Sequence, residues 1–103
     1  MVTMAEIEAL GRQVGEQYHA ERLILFGSYA RGVVTEDSDV DLLVVIPFDG
    51  HRANQSGAIR SSLRPKFPID LVLRTPAEVD YRLASRHSFM TELLRGGRLL
   101  CGA

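Results

Sequence analysis

Apolar residues recur along this chain with two periods, and the switches between them outline its elements. Ile7, Leu10 and Val14 recur at helical spacing with Glu8, Arg12, Gln13 and Glu16 on the other side, which predicts an amphipathic helix to about residue 18 or 19. Thr3 and Glu6 are spaced as a capping box at its start, each satisfying a free amide of the other's turn. Gly11 and Gly15 weaken that helix and would let it approach a sheet closely. Apolar runs bounded by turn residues follow at 22–26, 39–46 and 67–74 and read as strands. In the second run Val40, Leu42, Val44 and Ile46 share one face, which should pack on helices, while Asp39, Asp41, Leu43 and Val45 share the other. That second face is polar only at its start, so a site would lie at one end of the sheet.

The segment 51–66 is less decided. Ala53, Ala58, Ile59 and Leu63 could line one side of a helix, against Ser56 and Gly57; Arg52, Arg60, Arg64 and Lys66 make it locally basic. It reads either as a solvated helix face or as a basic lip near a bound ligand or a partner surface. Thr75 and Glu78 form a second capping box, with Pro76 at the first helical position, and Val79, Leu83 and Ala84 are expected as the buried stripe of that helix. A last helix at about 88–95 carries Phe89, Leu93 and Leu94, is stopped by Gly96-Gly97, and gives way to an extended piece at 98–101.

The candidate chemistry gathers between the first two strands. The first ends in Gly27-Ser28, a short helical turn at about 29–31 follows, and ten residues separate Ser28 from Asp39. Gly27 lacks a Cβ, so a ligand can come close to the backbone there. Ser28 can cap the helical turn, with its hydroxyl and neighbouring amides free for a phosphate. Asp39 and Asp41 stand at i and i+2, on one face and about 6.5–7 Å apart along the strand. Paired carboxylates repel unless a cation lies between them, and Mg²⁺ prefers one or two carboxylates plus phosphate oxygens. Together these point to a nucleoside triphosphate held through Mg²⁺. Arg31 could reach one of its phosphates or pair with Glu36 or Asp37. In the third strand Asp70 lies opposite the core positions Ile69, Leu71 and Leu73, and a mid-strand aspartate is unfavourable unless it is at an edge or has a task.

The run G-S-Y-A-R-G, then S-D-V-D-L, resembles the motif of the polymerase-beta-like nucleotidyltransferase superfamily. In particular it resembles the minimal nucleotidyltransferases that pair as antitoxins with HEPN-domain toxins. The resemblance implies an α/β, two-layer fold with a small mixed sheet and helices mainly on one face, residues 1–103 forming one domain. It implies a Mg²⁺-dependent enzyme, with two ions and ATP as substrate, that transfers AMP to a tyrosine of the toxin. Gly27, Ser28 and Arg31 would bind the nucleotide, Asp39 and Asp41 the metal. Asp70 matches the third metal-site carboxylate and is a candidate general base. The ending G-R-L-L-C differs from the family's usual terminal aromatic by placing Cys101 there, which bears on packing.

Composition narrows the alternatives. Lys+Arg is 12 against Asp+Glu 13, so no basic excess suggests direct nucleic-acid binding. Lys66 is the sole lysine, and arginine's fork suits phosphate and carboxylate contacts. One cysteine cannot form an internal disulfide, and no signal-like or membrane-length apolar run is present; a cytoplasmic protein is expected. His19 and His87 read as surface or structural residues, and His51 has no Cys or His at ligand spacing, so no zinc site is expected. Tyr29 and Tyr81 could themselves accept a nucleotide. The length leaves no room for a separate acceptor domain, so the acceptor is expected from another molecule. Two other functions remain open: an antitoxin that neutralises by binding alone, and a transferase acting on a small molecule of the aminoglycoside type.

Overall fold

A computed structural model describes residues 2–85 and 88–102; His87 lies outside the described residues. Helix α1 spans Met4–Tyr18, and its capping box forms, with Thr3 accepting from the Glu6 amide and Glu6 accepting from the Thr3 amide. Strand β1 (Arg22–Phe26) leads through α2 (Ser28–Arg31) to β2 (Val40–Val45). Helix α3 (Arg52–Leu63) connects to β3 (Ile69–Arg74), then α4 (Pro76–Leu83), α5 (Phe89–Gly96) and β4 (Arg98–Gly102).

The four strands form one mixed sheet in the order β3-β2-β1-β4. β1 pairs antiparallel with β2 and β4, whereas β2 and β3 run parallel. A parallel neighbour needs a crossover, and α3 supplies it. This explains why 52–63 is helical despite Ser56 and Gly57. Ile59 is fully buried and Leu63 nearly so, and tertiary packing of an apolar face outweighs weak propensity.

The central strands are apolar on both faces, as strands covered on both sides must be. The larger core joins Leu23, Leu25, Val40, Leu42, Val44, Ile69 and Leu73 to Ile7, Leu10 and Val14 of α1 and to Ile59 and Leu63 of α3. A smaller cluster on the opposite face joins Ile24, Leu43 and Val45 to Val79 of α4 and Met90 and Leu93 of α5. The two α1 glycines do bring that helix close. A Cβ on Gly11 would meet Leu100 and Leu23 at 3.2 Å, and one on Gly15 would lie 2.6 Å from the Cys101 Sγ. Cys101 is thus a small residue fitted beneath a glycine.

The predicted stripe of α4 is corrected. Val79 is buried, but Leu83 is 38% exposed and Ala84 is exposed. The helix makes only about two turns, so a single position reaches the sheet before the chain turns away. The buried residues of α5 are Met90 and Leu93, while Phe89 is 61% exposed.

Candidate active site

The site forms where β1 ends. Gly27 has φ +72 and ψ −150, a region open essentially to glycine alone. A Cβ there would overlap the Asp41 Oδ2 and lie 3.0 Å from its Cγ. The carboxyl of Asp41 therefore rests directly on the backbone of the turn, and glycine is required for two reasons at once. Ser28 does not cap α2 as expected. It is the first helical residue, Gly27 takes the cap position, and no side chain satisfies the cap. The Ser28 hydroxyl makes no protein hydrogen bond among the described residues, which leaves it available to a ligand.

Asp39 immediately precedes β2, held by a turn in which the Thr35 amide donates to Ser38 Oγ at 2.9 Å and the Ser38 amide to Thr35 O at 3.1 Å. Asp41 and Asp70 are direct partners in the parallel ladder, so both project from the sheet face that carries the smaller cluster. Asp70, on the edge strand β3, and Asp39 are exposed, whereas Asp41 is half-buried. Burial raises the Asp41 pKa above the ordinary carboxylate value; the negative charges of Asp70 and Asp39 push it further, and Arg31 partly offsets them. The three carboxylates thus share one electrostatic neighbourhood with the arginine beside them.

Among the described residues no three His, Cys, Asp or Glu side chains close on one point as a ready-made metal cage. The donor set nevertheless fits Mg²⁺, which is held through one or two carboxylates and completes its shell with phosphate oxygens and water. A half-buried carboxyl whose charged form is opposed by two neighbouring acids is a group that a cation would relieve.

Arg31 is exposed and forms no ion pair with Glu36 or Asp37 among the described residues, so its guanidinium is free beside Asp41. Two of the four cations in the basic segment are engaged elsewhere. Arg52 pairs with Glu78 and lies over the Phe48 ring at 5.9 Å, and Arg60 Nη1 donates to Ile69 O at 2.9 Å, fastening α3 to β3. Tyr29 is buried in the larger core and its hydroxyl accepts from the Val2 amide at 3.2 Å, on the face opposite Asp41; it is not placed to accept a nucleotide. The pattern of the sequence did not reveal the aromatic corner beside the turn, where Phe26 and Phe89 meet edge to face at 5.9 Å between centroids and an interplanar angle of 80°. The signal was present: residues 89, 90, 93 and 94 form an apolar stripe too wide for the one face of α5 that is buried.

Gly-Ser turn, acidic pair and mixed sheet define a nucleotidyltransferase-type domain. A family model of the nucleotidyltransferase domain matches residues 7–95, and the chain belongs to that family. It is 42% identical over 48 residues to the protein adenylyltransferase MntA of Thermococcus cleftensis, a match covering 43% of this chain and 48% of that protein. A Methanocaldococcus jannaschii protein, provisionally named a protein adenylyltransferase, is 42% identical over a match of the same extent; the chain thus spans about half the length of these two relatives. Another M. jannaschii protein with the same provisional name is 32% identical over 73 residues, 71% of each chain. Two solved structures share the fold. One is a nucleotidyltransferase-type protein from Sulfolobus solfataricus, with TM-score 0.59, 22% identity, and 75% of this chain and 70% of that one covered. The other is a toxin–antitoxin structure with AMP-PNP, with TM-score 0.60, 20% identity, and 93% and 73% covered. Among the described residues no helix is long and apolar enough to cross a membrane.

Proposed function

We propose that this chain is a Mg²⁺-dependent protein adenylyltransferase that moves AMP from ATP to a hydroxyl of a partner toxin and acts as its antitoxin. The observation that carries this is the Asp41 carboxyl lodged against Gly27, with Asp39 before it and Asp70 level with it on the next strand. Gly27, Ser28 and Arg31 receive the phosphates. Asp39 and Asp41 hold Mg²⁺, and Asp70 serves a second ion or the acceptor's proton. The ions, when bound, supply neutralisation of charge on the attacking and leaving oxygens. The acceptor oxygen bonds to the α-phosphorus, and Asp70 accepts the hydroxyl proton. The bond from that phosphorus to the bridging oxygen breaks, and pyrophosphate leaves with the electron pair. Positioning and charge neutralisation account for such catalysis, so no cysteine or histidine nucleophile is needed.

The name of the Thermococcus relative and the toxin–antitoxin structure with AMP-PNP support adenylate transfer and a toxin partner. That the partner is a HEPN protein modified on tyrosine rests on the motif resemblance. Residues 1–103 would act as one domain, in a cytoplasm that provides ATP and keeps Cys101 reduced.

The test is intact-mass measurement of a candidate toxin after incubation with this chain, ATP and Mg²⁺. A gain of one AMP on a tyrosine is expected. Transfer that persists after Asp39→Asn with Asp41→Asn would overturn the assignment.

A further inference from the structure

The phosphate and metal roles leave one feature beside the Gly27 turn unused. A cavity of about 530 Å³ opens between the start of α2 and helix α5. Its volume lies within the range of small-molecule sites, about 300–1,000 Å³. Gly27 and Arg31 line it together with the apolar side chains of Phe26, Phe89 and Leu93 and the charged ones of Glu92 and Arg95. Gly27 belongs both to this lining and to the contact with Asp41, and Phe26 is the cross-strand partner of Asp41, so the cavity adjoins that carboxyl.

Phe89 is the residue the fold does not explain. It is 61% exposed at the first position of α5, while Met90 and Leu93 bury that helix on the sheet. Its ring stands nearly perpendicular to Phe26, so the two rings make a corner with aromatic surface facing the cavity. Such a corner accepts a flat heteroaromatic ring on one phenyl face, with the edge of the second against it. The phosphate turn, at Gly27, lines the same cavity.

We propose that the Phe26–Phe89 corner seats the nucleobase of the bound nucleoside triphosphate. This rests on the nucleotide role given above to the Gly27 turn. The base stacks on Phe89, its triphosphate runs past Gly27 toward Asp41, and Arg31 lies between the two ends. Stacking recognises the flat face of any base, so Phe89 supplies affinity, and polar groups such as Glu92 are left to discriminate among bases.

The test compares two probes, ATP and inorganic tripolyphosphate, each with Mg²⁺, on the whole chain. The chain holds no tryptophan, so Phe89→Trp provides a single indole at the proposed stack. ATP should quench its emission and tripolyphosphate should not. Phe89→Ala, at an exposed position, should remain folded, raise the Kd for ATP roughly ten- to a hundredfold, and leave that for tripolyphosphate unchanged. Wild-type protein that binds both probes, with ATP affinity unaltered in Phe89→Ala and no quenching in Phe89→Trp, overturns the base site and leaves the phosphate site standing. Wild-type protein that binds neither probe overturns both. Loss of partner binding in Phe89→Ala with ATP affinity intact would assign the ring to a protein interface and so also refute the proposal.

Discussion

Gly27→Ala tests the geometry of the turn in two separable parts. Holding a residue with a Cβ at φ +72 and ψ −150 carries a backbone strain on the order of 1–3 kcal/mol. The new methyl also displaces the Asp41 carboxyl, whose Cγ would be 3.0 Å away. That carboxyl is the free end of a side chain and can swing aside, so the second effect on stability is smaller than the first. A total of about 2 kcal/mol would lower the Tm by about 8–16 °C in a domain of this size. Thermal unfolding of wild type, Gly27→Ala, Asp41→Ala and the double variant closes a cycle. The alanine at 27 should be less destabilising once Asp41 is truncated, with a coupling of roughly 0.5–1 kcal/mol expected for residues in contact. Nucleotide binding should fall even where the variant is fully folded, because Asp41 has been moved from its place. A Gly27→Ala protein that melts within a degree of wild type would refute the strained turn. A cycle with no coupling would refute the contact with Asp41.

Two further predictions concern Asp41 and Cys101. The Asp41 pKa is raised in the folded chain, chiefly by burial and then by Asp70 and Asp39, so the folded state keeps a proton that the unfolded state has released. Stability should therefore fall as pH rises from the ordinary carboxylate value to the raised one and level off above it, by about 1.4 kcal/mol for each tenfold gain in the proton affinity of the folded carboxyl. Asp41→Asn should lack that fall; urea midpoints from acid to neutral pH that stay parallel to those of wild type would contradict it. Gly15→Ala should gain little or lose stability, because its methyl would meet Cys101 Sγ at 2.6 Å. With Cys101→Ala in place the same change should become stabilising by about 0.5–1 kcal/mol, the ordinary helical preference for alanine over glycine. Equal effects of Gly15→Ala in the two backgrounds, seen by thermal melting, would exclude the contact.

The strand pattern was legible because β1 and β2 lie between two layers and so carry unbroken apolar runs. The capping boxes at Thr3 and Thr75 marked two helix starts by their spacing alone. The neighbourhood of Asp39, Asp41 and Asp70 was also foreseeable, since strand periodicity decides which face an aspartate takes. Other features depended on contacts that no local pattern encodes. Helix α3 forms because Ile59 and Leu63 find the sheet, which Ser56 and Gly57 could not announce. Leu83 has the right spacing for burial and lies where its helix has already left the core. The cap of α2 belongs to Gly27 because the chain must take a positive φ to pass under Asp41, a demand that comes from the next strand. The aromatic corner joins residues 26 and 89, and only the packing of α5 across β1 brings them together.

The parallel pairing of Asp41 with Asp70 has a consequence for how the acids stay aligned. Ile69 and Leu73, to either side of Asp70 in β3, are sunk in the larger core. Sliding that edge strand by a single position would drive the aspartate into hydrocarbon and turn both aliphatic residues out into water. The hydrophobic interior therefore acts as a ratchet that forbids intermediate settings. Mutations that loosen the interior should reduce the number of competent molecules without blurring the competent ones, so activity per folded chain would hold constant as the folded fraction declines.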